Sequence, residues 1–224
     1  MFPQIRRSTL PFMNESPGVV DLLGVLAYAE LSAYARMTED AATLAPTLAD
    51  RAALSELAVT EYAHFRLLRD RLARLGADPD EAMSPFVGAL DAWHAQTRPG
   101  DWLQALVKTY VGDGIALDFY REAARHLDPS IAELVDEVLV DEERSQFAVE
   151  RVRAGIQAAP TKAGRLALWA RRLVGEALSQ GQQVASARPE LATLLVSGEG
   201  AADISRLFAT LTEAHNKRMA AMGL

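Results

Sequence analysis

The hydrophobic positions of this chain recur at steps of three and four, and no stretch shows sustained alternation with β-branched enrichment. That period belongs to helices with one buried face, so the chain is predicted to be all-α. Proline and glycine divide it. Helix one is predicted over residues 17–43, with Leu23, Leu26, Glu30, Ala33 and Met37 on its inward stripe, ending before Ala45-Pro46. Helix two opens at Thr47 as N-cap, with Asp50 three residues on as a capping-box variant, and runs to about Leu75 before Gly76. A connection from Asp78-Pro79-Asp80 carries a shorter helix over residues 85–96. Asp101 then caps helix three, which runs to about Leu127, and Asp128-Pro129 starts helix four, which reaches about Ala158. Two further helices are predicted over residues 161–187 and 202–222, separated by Arg188-Pro189 and the Gly198-Glu199-Gly200 loop.

One long connection between helices two and three, among otherwise short loops, describes a four-helix bundle with a crossover rather than a simple up-and-down bundle. Residues 1–16 read as an N-terminal arm, and 17–224 as a single domain with two helices added after the bundle. At 224 residues the chain can bury a substantial core. It has no cysteine, which excludes disulfides, thiolate metal sites, iron–sulfur ligation and cysteine nucleophiles, and which fits a reducing, cytoplasmic compartment. A net charge of −7 argues against coating nucleic acid. Residues 1–16 lack the apolar core of a signal peptide, and the longest apolar run, residues 22–29, is too short to span a bilayer.

The chemistry sits on the stripes. Leu57, Glu61, His64, Leu68 and Leu72 share one face of helix two. A carboxylate and an imidazole one turn apart on an apolar face are costly to bury alone. Glu-x-x-His on an inward-facing helix is how bundles present ligands to iron or manganese. Glu30 faces the same interior from helix one. On helix three Asp113 falls in step with Leu106, Tyr110 and Leu117, between Gly112 and Gly114, while Asp118 falls on the flank. On helix four Asp141, Glu142 and Glu143 interrupt an apolar pattern, and periodicity does not separate Asp141 from Glu142. A symmetric two-metal site needs a second carboxylate-x-x-His there, yet Arg144 stands three residues after Asp141. A guanidinium stays charged and ligates no cation. The residues therefore allow one metal held by Glu30, Glu61 and His64, two metals if Arg144 turns outward, or no metal and a buried ion-pair network.

With Glu30, Glu61-x-x-His64, Asp113 and Asp141 on four helices, the chain resembles the ferritin-like superfamily. More narrowly it is similar to the branch of the methylthio-isopentenyladenosine tRNA hydroxylases, the MiaE-like proteins. The pieces that carry the likeness are Val20-Asp21-Leu22-Leu23-Gly24-Val25-Leu26, Tyr110-Val111-Gly112-Asp113-Gly114-Ile115-Ala116 and Arg172-Leu173-Val174-Gly175-Glu176-Ala177-Leu178-Ser179. The resemblance implies a dioxygen-dependent hydroxylase or oxidoreductase with two irons. Glu30, Glu61 and His64 would serve one, and Asp113 and Asp141 the second or a bridge; Arg144 replaces the family histidine. A small-molecule or modified-nucleoside substrate would follow, and a homodimer is compatible with it. The other reading is a non-catalytic scaffold whose site is an Arg144–carboxylate network. Arg165, Arg171 and Arg172 are read as a solvated or salt-bridged face, His94 and His126 as surface or cap residues, and His215 as a satisfied core histidine. There is no phosphate-binding glycine loop, serine triad signature or helical zinc-protease motif.

Overall fold

The three residues between the first two helices leave α1 (Pro17–Leu44) no choice but to double back on α2 (Leu48–Arg74). This computed structural model describes residues 17–124, 127–139, 142–194 and 201–224; the side chains of 113, 116, 117, 119, 120, 122–124, 136, 139, 142–145 and 201–208 lie outside the description. At the closed end of the α1–α2 hairpin Met37 and Ala41 meet Leu54 and Ala58. At the open end Leu22, Leu23 and Leu26 meet Phe65, Leu68 and Leu72. The predicted capping box is present. Thr47 Oγ1 accepts from Asp50 N at 3.0 Å and donates to the Asp50 carboxylate at 2.7 Å. Arg151 Nε also donates to Asp50, at 2.7 Å, and ties α2 to α6.

The crossover helix α3 spans Pro79–Gln96, six residues longer at its start than the pattern predicted. Asp78 caps it by accepting from the backbone N–H groups of Asp80 and Glu81. Pro79 occupies the first turn, where a missing N–H costs nothing. Pro85, the predicted start, lies inside the helix. The carbonyl of Glu81, which Pro85 leaves without a backbone donor, accepts from Ser84 Oγ at 3.2 Å. At Gly24 a Cβ would stand 2.2 Å from the Ala82 carbonyl oxygen, so only glycine lets α1 and α3 approach this closely.

Helix α4 (Trp102–Ala124) is capped by Asp101 as predicted, with Gln104 N donating to its carboxylate at 3.0 Å. The expected fourth helix is described as two stretches, α5 (Pro129–Leu139) and α6 (Glu142–Ala158), with residues 140 and 141 outside the description. Then come α7 (Lys162–Ala187), a short α8 (Pro189–Leu194) and α9 (Ala201–Met222). Helix α8 lies between the two predicted C-terminal helices, where the pattern assigns no element. Pro189 starts it, Leu191 is buried, and Arg188 just before it donates twice to Asp21 of α1, which fixes the entry.

The described residues form an all-α bundle with two main apolar bodies. In one, α1, α2, α3 and α5 close around Leu22, Leu26, Leu68, Phe86 and Ile131. In the other, α4, α6, α7 and α9 close around Leu106, Val111, Val152, Leu166, Leu173 and Met222. Helix α1 is long and apolar enough to cross a membrane by composition, but 61% of its most apolar window is buried inside this bundle. The N-terminal arm, residues 1–16, lies outside the described residues.

Candidate metal centre

Between the two apolar ends of the α1–α2 hairpin lies a polar layer. Glu30 reaches it from α1, one turn past Leu26; His64 and Glu61 reach it from α2, one and two turns before Leu68. All three are buried, Glu61 to 2% exposure. One ligand atom from each lies within 4.8 Å of the others. His64 Nδ1 stands 3.5 Å from Glu30 Oε2. Two carboxylates and an imidazole in such a volume fit one divalent cation of the iron, manganese or zinc type. The oxygens are hard donors, the imidazole suits all three metals, and the cation relieves the repulsion of two buried anions.

The structure thus brings together Glu30, Glu61 and His64. Asp113 lies on α4, whose backbone is helical there, but its side chain is outside the described residues. Asp141 and the side chains of Glu142 and Arg144 are outside them as well, so the second half-site and the direction of Arg144 belong to the undescribed part. The glycines around Asp113 are explained. A Cβ on Gly112 would meet the Trp93 ring of α3 at 2.8 Å, and one on Gly114 would meet Arg218 Nε of α9 at 2.2 Å. Each glycine admits a large side chain against the α4 backbone. Arg218 went unnoticed in the sequence; it donates to Asp118 at 2.6 Å, which accounts for that flanking carboxylate.

Two histidines depart from their sequence reading. His94 is buried rather than a surface or cap residue, at 8% exposure. Its Nε2 lies 3.1 Å from Ser32 Oγ, which itself donates to the Ala29 carbonyl, so the hydrogen sits on Nε2. Nδ1 is buried with no hydrogen-bond partner. Burial, then the charges of Lys108 and Arg36, push His94 down to about 3, and it stays neutral. The stripe Met83, Phe86, Leu90, His94, Thr97 carried the signal that was missed, since it places His94 on the inward face. His215 is a core residue as predicted, but its Nδ1 has no hydrogen-bond partner, and burial followed by Arg218 and Arg171 lowers its pKa. The His126 side chain is outside the described residues. Of the three arginines on α7, Arg165 pairs with Asp101 at 2.5 Å, Arg172 donates to the Gln96 carbonyl at 2.8 Å, and Arg171 is exposed.

Among solved structures, the chain is similar to one described as protein 19 with aldehyde deformylating oxidase activity from Synechococcus. The TM-score is 0.70 and the identity 18%, over 96% of this chain and 94% of that one, a likeness of fold. No curated protein matches the sequence. The family model described as ferritin-like domain, actinomycetes, matches residues 14–198, and the chain belongs to that ferritin-like family.

Proposed function

We propose that the chain is a non-haem iron protein, a dioxygen-dependent hydroxylase or oxidoreductase of the MiaE-like kind, working in the cytoplasm. The observation that carries this reading is the buried cluster of Glu30, Glu61 and His64, with a donor atom from each inside 4.8 Å. The ferritin-like family and a solved neighbour with oxidase activity support it.

In this reading Glu30, Glu61 and His64 hold the iron, and the iron supplies the reaction with dioxygen. The chain's own part is placement and exclusion. Glu30 and His64 come from facing helices, so closure of the hairpin alone sets their separation. Leu26 and Leu68 on one side, and Met37, Leu54 and Ala58 on the other, keep bulk water from the layer. Asp113 and Asp141 are the proposed ligands of a second iron, and a small organic molecule or modified nucleoside the proposed substrate.

The test is iron content per chain after expression with iron and purification without chelator, beside Glu61→Ala. About one iron per chain, lost in the variant, supports the mononuclear form, and about two supports Asp113 and Asp141 as further ligands. No iron on a folded chain rejects the reading and leaves the non-catalytic scaffold.

A further inference from the structure

The outward face of α2 carries Ala52, Ser55, Val59, Tyr62, Arg66 and Arg69 at steps of three and four. Val59 is 60% exposed and Tyr62 40%, and both are among the large apolar side chains that the bundle leaves uncovered. Leu48, one turn before Ala52, is 81% exposed. A three–four seam on a solvent-facing helix is the pattern that packs against another helix.

This seam has a second property. Its spacing is unchanged on reversal about a point between Thr60 and Glu61. Two copies of α2 laid antiparallel therefore set Val59 of one copy against Tyr62 of the other, twice. They set Ser55 against Arg66, and Ala52 against Arg69. Charged groups flank both halves, and Arg51 at the N-terminal end is turned back to the Ala42 carbonyl at 2.7 Å. Exposed Glu56 flanks the seam on its N-terminal half, and exposed Arg66 stands on its C-terminal half. Arg69 is already drawn to Asp70 at 2.8 Å, which leaves Arg66 as the cation facing Glu56 of a second copy.

We propose that this face is the isologous interface of a homodimer of the chain. The apolar pairs Val59–Tyr62 lie at its centre, and two Glu56–Arg66 ion pairs close its ends. A two-fold axis makes every contact occur twice, which is why a self-complementary patch is needed and why this one qualifies. Antiparallel α2 helices also align their dipoles favourably. The seam from Ala52 to Arg69 is about 26 Å long at roughly 1.5 Å per residue. One helix per partner places it at the small end of specific interfaces, below about 1,200 Å², so the dimer is weak and concentration-dependent. Tyr62 also packs against Tyr34 and Phe65 in tilted ring contacts, at 5.1 and 5.6 Å between centroids, so dimerisation would cover the outer side of the helix that carries Glu61 and His64.

The test is sedimentation velocity of the full chain from low to high micromolar concentration, beside Glu56→Arg and Arg66→Glu, with helicity checked by circular dichroism. The wild-type mass should double across the range. Each single variant should shift that transition by about tenfold or more, because each sets like charges opposite one another. An equimolar mixture of the two variants should dimerise again, since a mixed pair restores both ion pairs. A monomeric chain throughout, a transition indifferent to both variants, or a mixture that fails to recover would each overturn the proposal. So would a dimer that forms only after residues 1–16 are removed, which would make the arm the occupant of the seam.

Discussion

His64 and His94 are both buried to 8% exposure, and both stand beside α1, yet their surroundings are opposite in sign. His64 faces the carboxylates of Glu30 and Glu61. His94 faces the hydroxyl of Ser32 and the charges of Lys108 and Arg36. Lys108 itself is buried, donating to the Thr97 carbonyl at 2.9 Å with its ammonium 4.8 Å from the Trp93 ring centre. A cation entering the first environment meets negative charge. In the second it meets positive charge and an imidazole that resists protonation. Burial alone does not make a histidine a ligand; the sign of the charges buried with it decides.

The largest test of that contrast is at Glu61. Iron added to the wild-type apo chain should raise its melting temperature, and Glu61→Ala should abolish the rise and the bound metal together. The corresponding change at the other site, His94→Gln, should leave iron content unchanged. If His94→Gln removed iron instead, the contrast would fail.

The burial of His94 depends on how closely α3 lies on α1. Gly24→Ala places a methyl group against the Ala82 backbone, which cannot yield as a side chain would. The expected loss is about 3 kcal/mol in urea unfolding, the upper end for overpacking. A loss of a few tenths would show that the helices separate easily.

Acid should act on His94 through linkage. Its folded value of about 3 lies below the unfolded 6.5, so its contribution is intact above pH 6.5 and is lost as pH falls toward 3. Below pH 6.5 the unfolded chain takes a proton that the folded chain refuses. Between pH 7 and pH 5 that single group costs about 2 kcal/mol of stability. Asp40, near Lys108 and Arg36, opposes it. Burial raises Asp40 to about 6, so the folded chain takes its proton first and gains stability on acidification down to about pH 3.8. Urea unfolding at both pH values should show a slope in Asp40→Asn that shrinks by about 2 kcal/mol over the interval when His94→Gln is added, leaving the share of His215, whose pKa is also lowered by burial. Equal slopes would refute the assignment. Ser32→Ala, the smallest of these changes, should cost about 1 kcal/mol for the lost hydrogen bond to His94 Nε2, without altering iron content.

Much of this was legible before any fold was known. The period along α1 and α2 put Glu30, Glu61 and His64 on inward faces, and the structure brings those three side chains together. The Thr47–Asp50 capping box, the Asp101 cap and the ends at Gly76 and Ala158 also followed from local chemistry. Three features did not. Pro85 sits in the second turn of α3 because Ser84 serves the carbonyl it leaves free, an interaction no proline rule contains. Helix α8 depends on Arg188 reaching Asp21, 167 residues away in sequence. The burial of His94 depends on Gly24, since without that close approach α3 would lie farther from α1.

Local periodicity sets the long helices, their faces and the pairing of Glu61 with His64, because those follow from backbone bonds and side-chain positions within four residues of one another. The tertiary structure alone decided which faces meet. It set Glu30 beside His64, placed Lys108 and Arg36 within electrostatic reach of His94, and laid Arg218 across Gly114. Charge and burial act through space, and two stripes that read alike along the chain acquire opposite chemistry only when their neighbours arrive.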